Sequence, residues 1–256
     1  MTFGAPHRHY RVTDSTNDRA RNLVEAGAPG GTVVTAREQT EGRGRQGRVW
    51  TAPEGKALLY SAILRPLDER HLLLPLSVPL AVCGAAEELR PGAKCQVKWP
   101  NDVWLEERKL AGILIEAKPQ ESWAIIGIGL NLSIAPDEFP PDLRHPAVSL
   151  FGAATGDRGE SERSLPAVAP AGLPLVPPST AAEVLNRHLD EWVEASDDDV
   201  LKEWRRRDGL LGREISWDEG KRSGVAAGVD DRGNLVVALA AGGSVVLGSG
   251  EVQIRL

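Results

Sequence analysis

Positive charge and glycine are concentrated in residues 42–48, which read Gly-Arg-Gly-Arg-Gln-Gly-Arg. Guanidinium groups form forked hydrogen bonds with phosphate and carboxylate oxygens, and the glycines leave the backbone free to bend. This Gly/Arg loop could therefore close over an anionic ligand and exclude water. A solvated surface loop with loose RNA affinity fits the same composition.

Two common phosphate-binding motifs do not explain this loop. Its glycines satisfy GxGxxG, but a dinucleotide-binding turn needs a helix directly after the glycines, and Val-Trp-Thr-Ala-Pro follows here. The pattern GxxxxGK[ST] occurs nowhere in the chain, which excludes a P-loop.

Lysine is scarce, with seven residues against twenty-three arginines, and two of the seven begin short motifs. Lys98 begins KWPND, and Lys109 begins KLAGIL. A lysine that leads into an apolar strand can place a compact charge beyond the strand's end, although such lysines often only extend to solvent. Gly112, and glycines 127 and 129 in a later segment, indicate either close approach of a ligand or a β-bulge.

The elements that must position these residues alternate between helix and strand. A helix is predicted from Ser15 to Ala26, with Ser15 as its N-cap and Asp18 at the capping-box spacing. Apolar periodicity predicts further helices at 76–89, 181–195 and 198–207, and strands at 32–36, 57–64, 95–99, 110–116 and 123–132.

The composition changes after residue 150. Residues 151–178 are rich in Gly, Pro, Ala and Ser without any period, which is typical of a mobile insertion. Five short strand signals end the chain, and a tail of that length suits a small β-barrel. We expect a main domain over 1–208, with a flexible insertion at 150–178, and a small barrel domain over 209–256.

Composition and charge restrict the class of protein. The chain has 256 residues, 41% of them hydrophobic, and a net charge of −6, which disfavours a protein built to hold nucleic acid. We find no secretion signal and no apolar stretch long enough to span a bilayer. Cys83 and Cys95 lack CxxC spacing. We expect a cytoplasmic protein with no membrane contact and no metal held by its own side chains.

Together and in this order, the motifs resemble the catalytic domain of biotin protein ligases. The matching segments are Ser15-Thr16-Asn17, Gln39, residues 42–48 with Trp50, KWPNDV at 98–103, KLAGIL at 109–114 and GIGLNL at 127–132. Each motif alone is weak, but their linear order is specific. The C-terminal tail resembles, more loosely, the Src-homology-3-like barrel that ends many members.

The resemblance implies an α/β (α+β) fold, with a mixed sheet backed by helices as in class II aminoacyl-tRNA synthetases, plus a small C-terminal Src-homology-3-like β-barrel. It also implies a reaction in two steps. Biotin and MgATP form biotinyl-5′-AMP and pyrophosphate. The adenylate then acylates one lysine on the biotin carboxyl carrier domain of an acyl-CoA carboxylase, such as acetyl-CoA carboxylase.

The resemblance also assigns roles to residues. Biotin would contact Ser15, Thr16, Asn17, Gln39, Arg43, Gly44, Arg45, Trp50, Lys109 and Gly112. The nucleotide would contact Arg45, Trp50, Lys98, Asn101 and Asn131. Lys109, Arg43 and Arg45 would stabilise charge that develops during catalysis, and Asp102 would be the base for the incoming lysine. Ser15 also fits a simple helix cap, and Trp50 equally fits a core tryptophan.

Three alternatives stay open at this point. A lipoate–protein ligase shares the fold and chemistry but as a rule lacks the GRGR-x-GR and KWPND pair. A non-enzymatic RNA-binding protein could use the Gly/Arg loop, although the pI near 5.5 counts against it. An inactive ligase could act through its barrel alone. Many bacterial relatives carry an N-terminal helix-turn-helix, but Ser15 arrives too early for one, so we expect no binding to operator DNA.

Overall fold

The computed structural model describes residues 1–143, 145–152, 176–248, 250 and 252–254. Residues 153–175, which make up most of the predicted insertion at 150–178, lie outside the described residues. The mobility of that insertion therefore stays a prediction.

Seven strands form a mixed sheet, which confirms the predicted α/β class. The strands are β1 His7–Thr13, β2 Val33–Gln39, β3 Ala57–Leu64, β4 Cys95–Lys98, β5 Asp102–Leu105, β6 Arg108–Lys118 and β7 Trp123–Asn131. Their order across the sheet is β1-β2-β3-β7-β6-β5-β4. Only β1 and β2 are parallel, among the pairs formed by these strands. Because β6 and β7 are neighbours, the KLAGIL and GIGLNL motifs lie side by side.

Helices pack on both faces of this sheet. They are α1 Thr16–Glu25, α2 Leu74–Leu89, α3 Pro178–Val193 and α4 Asp197–Arg207, and short 3₁₀ turns occupy Arg45–Gly47, Glu69–His71, Pro119–Glu121 and Pro136–Glu138. Every residue of β3 is buried, because alternate side chains face α1 and the α2–α3 side. α2 is apolar on nearly all sides and lies deepest, whereas α1 buries a single stripe that includes Ala20 and Val24.

Five more strands form a second, antiparallel sheet, as the tail predicts. They are β8 Glu214–Trp217, β9 Arg222–Val229, β10 Leu235–Ala238, β11 Ser244–Leu247 and β12 Gln253–Ile254, in the order β11-β10-β9-β8-β12. The Gly209 N–H donates to Val97 O at 2.9 Å, and Trp99 Nε1 donates to Gly233 O at 3.1 Å. These bonds attach the second sheet to β4 and the residue after it.

Three local features differ from the sequence prediction. Strands β1 and β5 are present where no strand is predicted, and β6 is longer than the predicted 110–116. Ser15 does precede the first helical residue, but its side chain makes no capping hydrogen bond. The predicted capping box with Asp18 is wrong, because Asp18 binds Arg21 and Arg43 instead.

Candidate active site

A cavity of about 510 Å³ opens where the middle of the main sheet meets the N-terminus of α1 and the Gly/Arg loop. Its volume is in the range typical of small-molecule sites. Most of the residues predicted for the site line this cavity. They are Ser15, Thr16, Asn17, Gln39, Arg43, Gly44, Arg45, Trp50, Asn101, Lys109, Gly112 and Asn131. The structure therefore brings Arg43, Arg45 and Lys109 to one cavity.

The floor of the cavity is made of glycines on β6 and β7, with Trp50 lying directly on them. A Cβ atom at Gly129 would lie 2.3 Å from Trp50 Cε2, and one at Gly112 would lie 2.9 Å from Trp50 Cζ3. Gly112 and Gly129 are paired across the two strands. The close approach that these glycines permit is thus made by Trp50, and the predicted contact of Gly112 with biotin stays a prediction.

A bulge does not account for Gly112. The irregularity in the pairing of β5 with β6 falls where Val103 pairs with Ala111 and Trp104 with Lys109. Gly112 itself pairs regularly with Asp102. The bulge interpretation of Gly112 is therefore wrong, and close approach of a ligand stays a prediction, because the described structure shows only the approach of Trp50.

Lys109 presents its ammonium group at one end of the floor. Its Nζ lies 2.7 Å from Asp102 Oδ1 and 5.7 Å from the centre of the Trp50 ring. The side chain is 25% exposed, so it does not simply extend into solvent. Its backbone N–H donates to Pro146 O at 2.8 Å, which attaches the segment after β7 to the cavity wall.

The opposite end of the floor is polar and already hydrogen bonded. The Thr16 N–H and hydroxyl both donate to Gln39 Oε1, at 2.7 and 2.9 Å. Ser61 Oγ donates to Asn17 Oδ1 at 2.6 Å, and Asn17 Nδ2 donates to Glu116 Oε2 at 2.8 Å. These bonds fix the orientation of the Asn17 side-chain amide, because Oδ1 can only accept hydrogen bonds and Nδ2 can only donate them.

Arg43 lies at the rim of the cavity, where its guanidinium pairs with two carboxylates. Nη1 is 2.6 Å from Asp18 Oδ1, and Nη2 is 3.1 Å from Glu116 Oε1. Burial opposes the charged form, but Glu116 and Asp18 outweigh it and raise the pKa of Arg43 above its ordinary value. Arg43 is therefore a permanent cation on the Gly/Arg loop.

The two asparagines predicted to contact nucleotide also hold the cavity wall together. Asn101 Nδ2 donates to Ile113 O at 3.1 Å. Asn131 Nδ2 donates to Val148 O at 3.1 Å, and Asn131 is buried. Both side chains line the cavity, so a structural role and a role in binding are compatible.

Lys98 and Asp102 do not line the cavity. Lys98 is 3% exposed and lies 5.9 Å from the centre of the Trp104 ring. In this position it does not reach a ligand in the cavity, and its predicted nucleotide contact would need another side-chain position. Asp102 is buried behind Lys109, so any influence on the cavity passes through that lysine.

Several lining residues were not predicted from the sequence. They are Arg48, Val49, Thr51, Leu59, Tyr60, Ile113, Leu114, Ile128, Phe139, Pro140, Asp142, Leu143, His145 and Ala147, while Gly127 and Gly129, which the sequence did single out, line the cavity as well. Arg48 was identifiable, because it belongs to the quoted Gly/Arg loop. Residues 139–147 carry no motif, and of the described residues among them Pro146 bonds the backbone of Lys109 and Phe139 packs against the buried cluster that includes Leu59 and Ile134.

Within the described part of the chain, no three His, Cys, Asp or Glu side chains group as they would to hold a metal ion. The same residues include no helix that is long and apolar enough to cross a bilayer. Cys83 and Cys95 are free thiols.

This chain is similar to known proteins over most of its length. Residues 9–133 match the model of the biotin/lipoate A/B protein ligase family. The chain is 34% identical over 249 residues to the biotin–acetyl-CoA-carboxylase ligase of Paracoccus denitrificans, covering 91% of this chain and 95% of that one. It is 40% identical over 152 residues to the bifunctional ligase/repressor BirA of Bacillus subtilis. That match covers 57% of this chain and 46% of BirA, so it spans about half the relative's length.

The fold has solved counterparts as well. A structure of the biotin protein ligase from Aquifex aeolicus, in complex with biotin and ATP, superposes with a TM-score of 0.75 at 28% identity. The alignment covers 98% of this chain and 99% of that one. The chain therefore belongs to the biotin/lipoate A/B protein ligase family, among its biotin protein ligases.

Proposed function

We propose that this chain joins biotin to AMP and transfers the biotinyl group to a lysine of a biotin carboxyl carrier domain. In the first step a biotin carboxylate oxygen attacks the α-phosphorus of MgATP, and the bond to pyrophosphate breaks. In the second step the lysine amine attacks the acyl carbon, and AMP leaves with the bonding electrons. Mg²⁺ enters as MgATP, with the phosphates as its principal ligands.

The observation that carries this proposal is that the three cations predicted for catalysis meet on one cavity, which Arg48 also lines. Lys109, Arg43 and Arg45 all line it, beside a glycine floor and a hydrogen-bonded polar end. Lys109 and Leu114 both line the cavity and are five residues apart on β6, which corresponds to about 16 Å of strand. A long, narrow acid could bind with its polar ring near Asn17 and its carboxylate near Lys109.

The chemistry of adenylate formation explains why cations are needed at the Lys109 end of the cavity. A carboxylate is a poor acyl donor, because its oxygen does not leave, and AMP converts it to a mixed anhydride. Two anionic groups, carboxylate and phosphate, must meet for that bond to form, so an ammonium and guanidiniums between them lower the repulsion. The anhydride hydrolyses readily, and closure of the Gly/Arg loop would keep water out.

Individual roles follow from position. Ser15, Thr16, Asn17 and Gln39 would bind the ureido ring of biotin, and Trp50, Asn101 and Asn131 would border the nucleotide. The buried Trp50 Nε1 has no hydrogen-bond partner among the described residues, and it lies against Gly129 on the floor of the cavity. Asp102 lies 2.7 Å from Lys109 and does not line the cavity, so as our candidate base it would receive the acceptor lysine's proton by way of Lys109.

We propose the acceptor protein from the relatives, because the relative from Paracoccus denitrificans is named for acetyl-CoA carboxylase. We also propose that the chain acts in the cytoplasm, that residues 1–208 are the catalytic domain, and that residues 209–256 form the small barrel. The expected lack of operator DNA binding stays a prediction, which a mobility shift with biotin-operon DNA would test.

The direct test is biotin-dependent exchange of labelled pyrophosphate into ATP by the purified chain. We expect exchange with biotin and little with lipoate, and no inhibition of the biotin reaction by an equal concentration of lipoate. Exchange driven by lipoate instead would indicate a lipoate–protein ligase. The absence of exchange with either acid would refute the proposed activity, and salt-dependent RNA binding would then favour the RNA-binding alternative.

A further inference from the structure

Beside the mouth of the cavity, two arginines share two carboxylates. Arg21 lies on α1 and Arg43 on the Gly/Arg loop, while Asp18 is on α1 and Glu116 on β6. Arg21 Nη1 is 2.6 Å from Asp18 Oδ1, and Arg21 Nη2 is 2.6 Å from Glu116 Oε1. Arg43 contacts the same two oxygens, at 2.6 and 3.1 Å. The cluster therefore holds two positive and two negative charges.

Because the two arginines bind the same two oxygens, one arginine is enough to keep both carboxylates hydrogen bonded. If Arg43 moves away, each carboxylate keeps a charge-assisted bond to Arg21, so neither is left without a cationic partner, although the cluster then carries a net charge of −1. The side chain of Arg43 is 42% exposed and that of Arg21 is 27% exposed. Arg43 also lies between two glycines, whereas Arg21 lies within a helix. Arg43 is therefore the partner that can leave.

The second oxygen of Glu116 connects this cluster to the polar end of the cavity. Glu116 Oε2 accepts from Asn17 Nδ2 at 2.8 Å, while Oε1 accepts from the two arginines. Arg21 keeps Glu116 in place after Arg43 has left, so Asn17 keeps its orientation. Arg43 can therefore leave without changing the position of Asn17.

We propose that Asp18 and Glu116 hold Arg43 as a releasable latch on the Gly/Arg loop, and that Arg21 is the positioning residue that lets the latch open. The inference rests on the proposed function, because substrate carboxylate and phosphate oxygens are the anions that would draw Arg43 away. In the ligand-free chain Arg43 binds the two carboxylates, and with substrates bound it binds the substrate oxygens. Arg21 remains on the carboxylates throughout.

Limited tryptic cleavage after Arg45 and Arg48, without substrates, tests the latch directly. Arg21→Gln leaves both carboxylates to Arg43 alone, so we expect cleavage to slow. Asp18→Asn removes one attachment of Arg43, so we expect cleavage to become faster, by about fivefold at most for one partly exposed ion pair. Arg19→Gln is the matched control, because Arg19 is on the same helix but pairs with Asp14, and its rate should stay at the wild-type value.

The KM and kcat of pyrophosphate exchange distinguish the proposed role of Arg21 from a merely structural role. We expect Arg21→Gln to raise the KM for biotin and ATP by about fivefold, with kcat little changed, because less of the protein has Arg43 free. Arg21→Lys, which keeps the charge, should restore much of the loss, and the double variant Asp18→Asn with Arg21→Gln should restore more than half. Circular dichroism and the Tm identify any variant that fails to fold.

The latch is refuted if Arg21→Gln and Asp18→Asn change the cleavage rate in the same direction. It is also refuted if the double variant is no better than Arg21→Gln alone. A wild-type chain without biotin-dependent exchange would refute the proposed function instead, and the cleavage rates without substrates would still decide the latch.

Discussion

At the residue scale, the site depends on the amine of Lys109, on the guanidiniums of Arg43 and Arg45, and on the Trp50 indole, which packs against glycines. Lys109, Arg43 and Trp50 were predicted from sequence because they belong to ordered motifs, and all three line the cavity. Arg21 and Glu116 were not predicted, because their pairing joins positions 95 residues apart and nothing local indicates it. His145 and Asp142 were missed for a similar reason, since residues 139–147 have no periodicity of their own.

Replacing Lys109 by alanine should lower pyrophosphate exchange by about 100-fold or more, because the group that offsets charge between carboxylate and phosphate is lost. The Tm should fall, because the buried Asp102 carboxylate loses its ion-pair partner, so exchange is compared at a temperature where circular dichroism shows the variant folded. Lys118→Ala is the matched control: it lies on the same strand, its ammonium pairs with Glu25 and Glu121, and it does not line the cavity. Equal exchange by the two variants would contradict the role given to Lys109.

Gly129→Ala should displace Trp50, because the new Cβ would lie 2.3 Å from its ring. We expect a raised KM for ATP and a smaller cation–π contact with Lys109, visible as a changed near-ultraviolet circular dichroism spectrum. Gly152→Ala is the control, since its nearest neighbour would be 3.5 Å away at an ordinary contact distance. A wild-type KM and spectrum in Gly129→Ala would show that Trp50 does not depend on this glycine.

At the element scale, most buried strands and the amphipathic helices were predictable, whereas the exposed strand β1 and the short buried strand β5 were not. β1 is mostly exposed and carries His7, Arg8 and His9, so no apolar alternation marks it, and it exists through backbone pairing with β2. β5 follows Pro100 and Asn101, which resemble a turn, yet β5 is buried between β4 and β6. In both cases pairing with a neighbouring strand, not local pattern, decides the structure.

Ion pairs within α4 predict a pH dependence of stability. Arg206 and Arg207 bind Glu203 and, against the effect of burial, lower its pKa to about 2. A depressed carboxyl pKa contributes stability above the ordinary value near 4.5 and loses that contribution as the pH falls toward about 2. Glu203→Gln should therefore lower the free energy of unfolding at pH 7 by about 1 to 2 kcal/mol.

This difference from wild type should shrink between pH 5 and pH 3 in urea unfolding experiments, because the wild-type carboxylate begins to lose its advantage. Glu191→Gln on α3 is the control, since Glu191 is exposed, and its effect should stay small at each pH. A constant effect of Glu203→Gln at all pH values would mean that its charge does not stabilise α4.

At the scale of the whole molecule, the two sheets share one hydrophobic core. Ile215, Trp217, Leu235 and Val237 of the second sheet belong to the same buried cluster as α2. The Trp99–Gly233 hydrogen bond and the Arg213–Glu107 ion pair add polar links. The number of strands in the tail was predictable from its turns, but this shared core was not, since its partners are far apart in sequence.

A shared core should make unfolding cooperative. We expect one thermal transition for the whole chain in calorimetry, with equal calorimetric and van't Hoff enthalpies. Trp99→Phe should lower the Tm without splitting the transition, because it removes a link but leaves the core. Two separate transitions in the wild-type chain would show that the second sheet folds independently.

The most direct test of the proposed ligase activity is intact-mass spectrometry of a biotin carboxyl carrier domain incubated with the chain, biotin and MgATP. We predict one added biotinyl group, located on one lysine, that requires ATP and is nearly absent with Lys109→Ala. A carrier domain of unchanged mass, under conditions where a known biotin protein ligase modifies it, would contradict this activity.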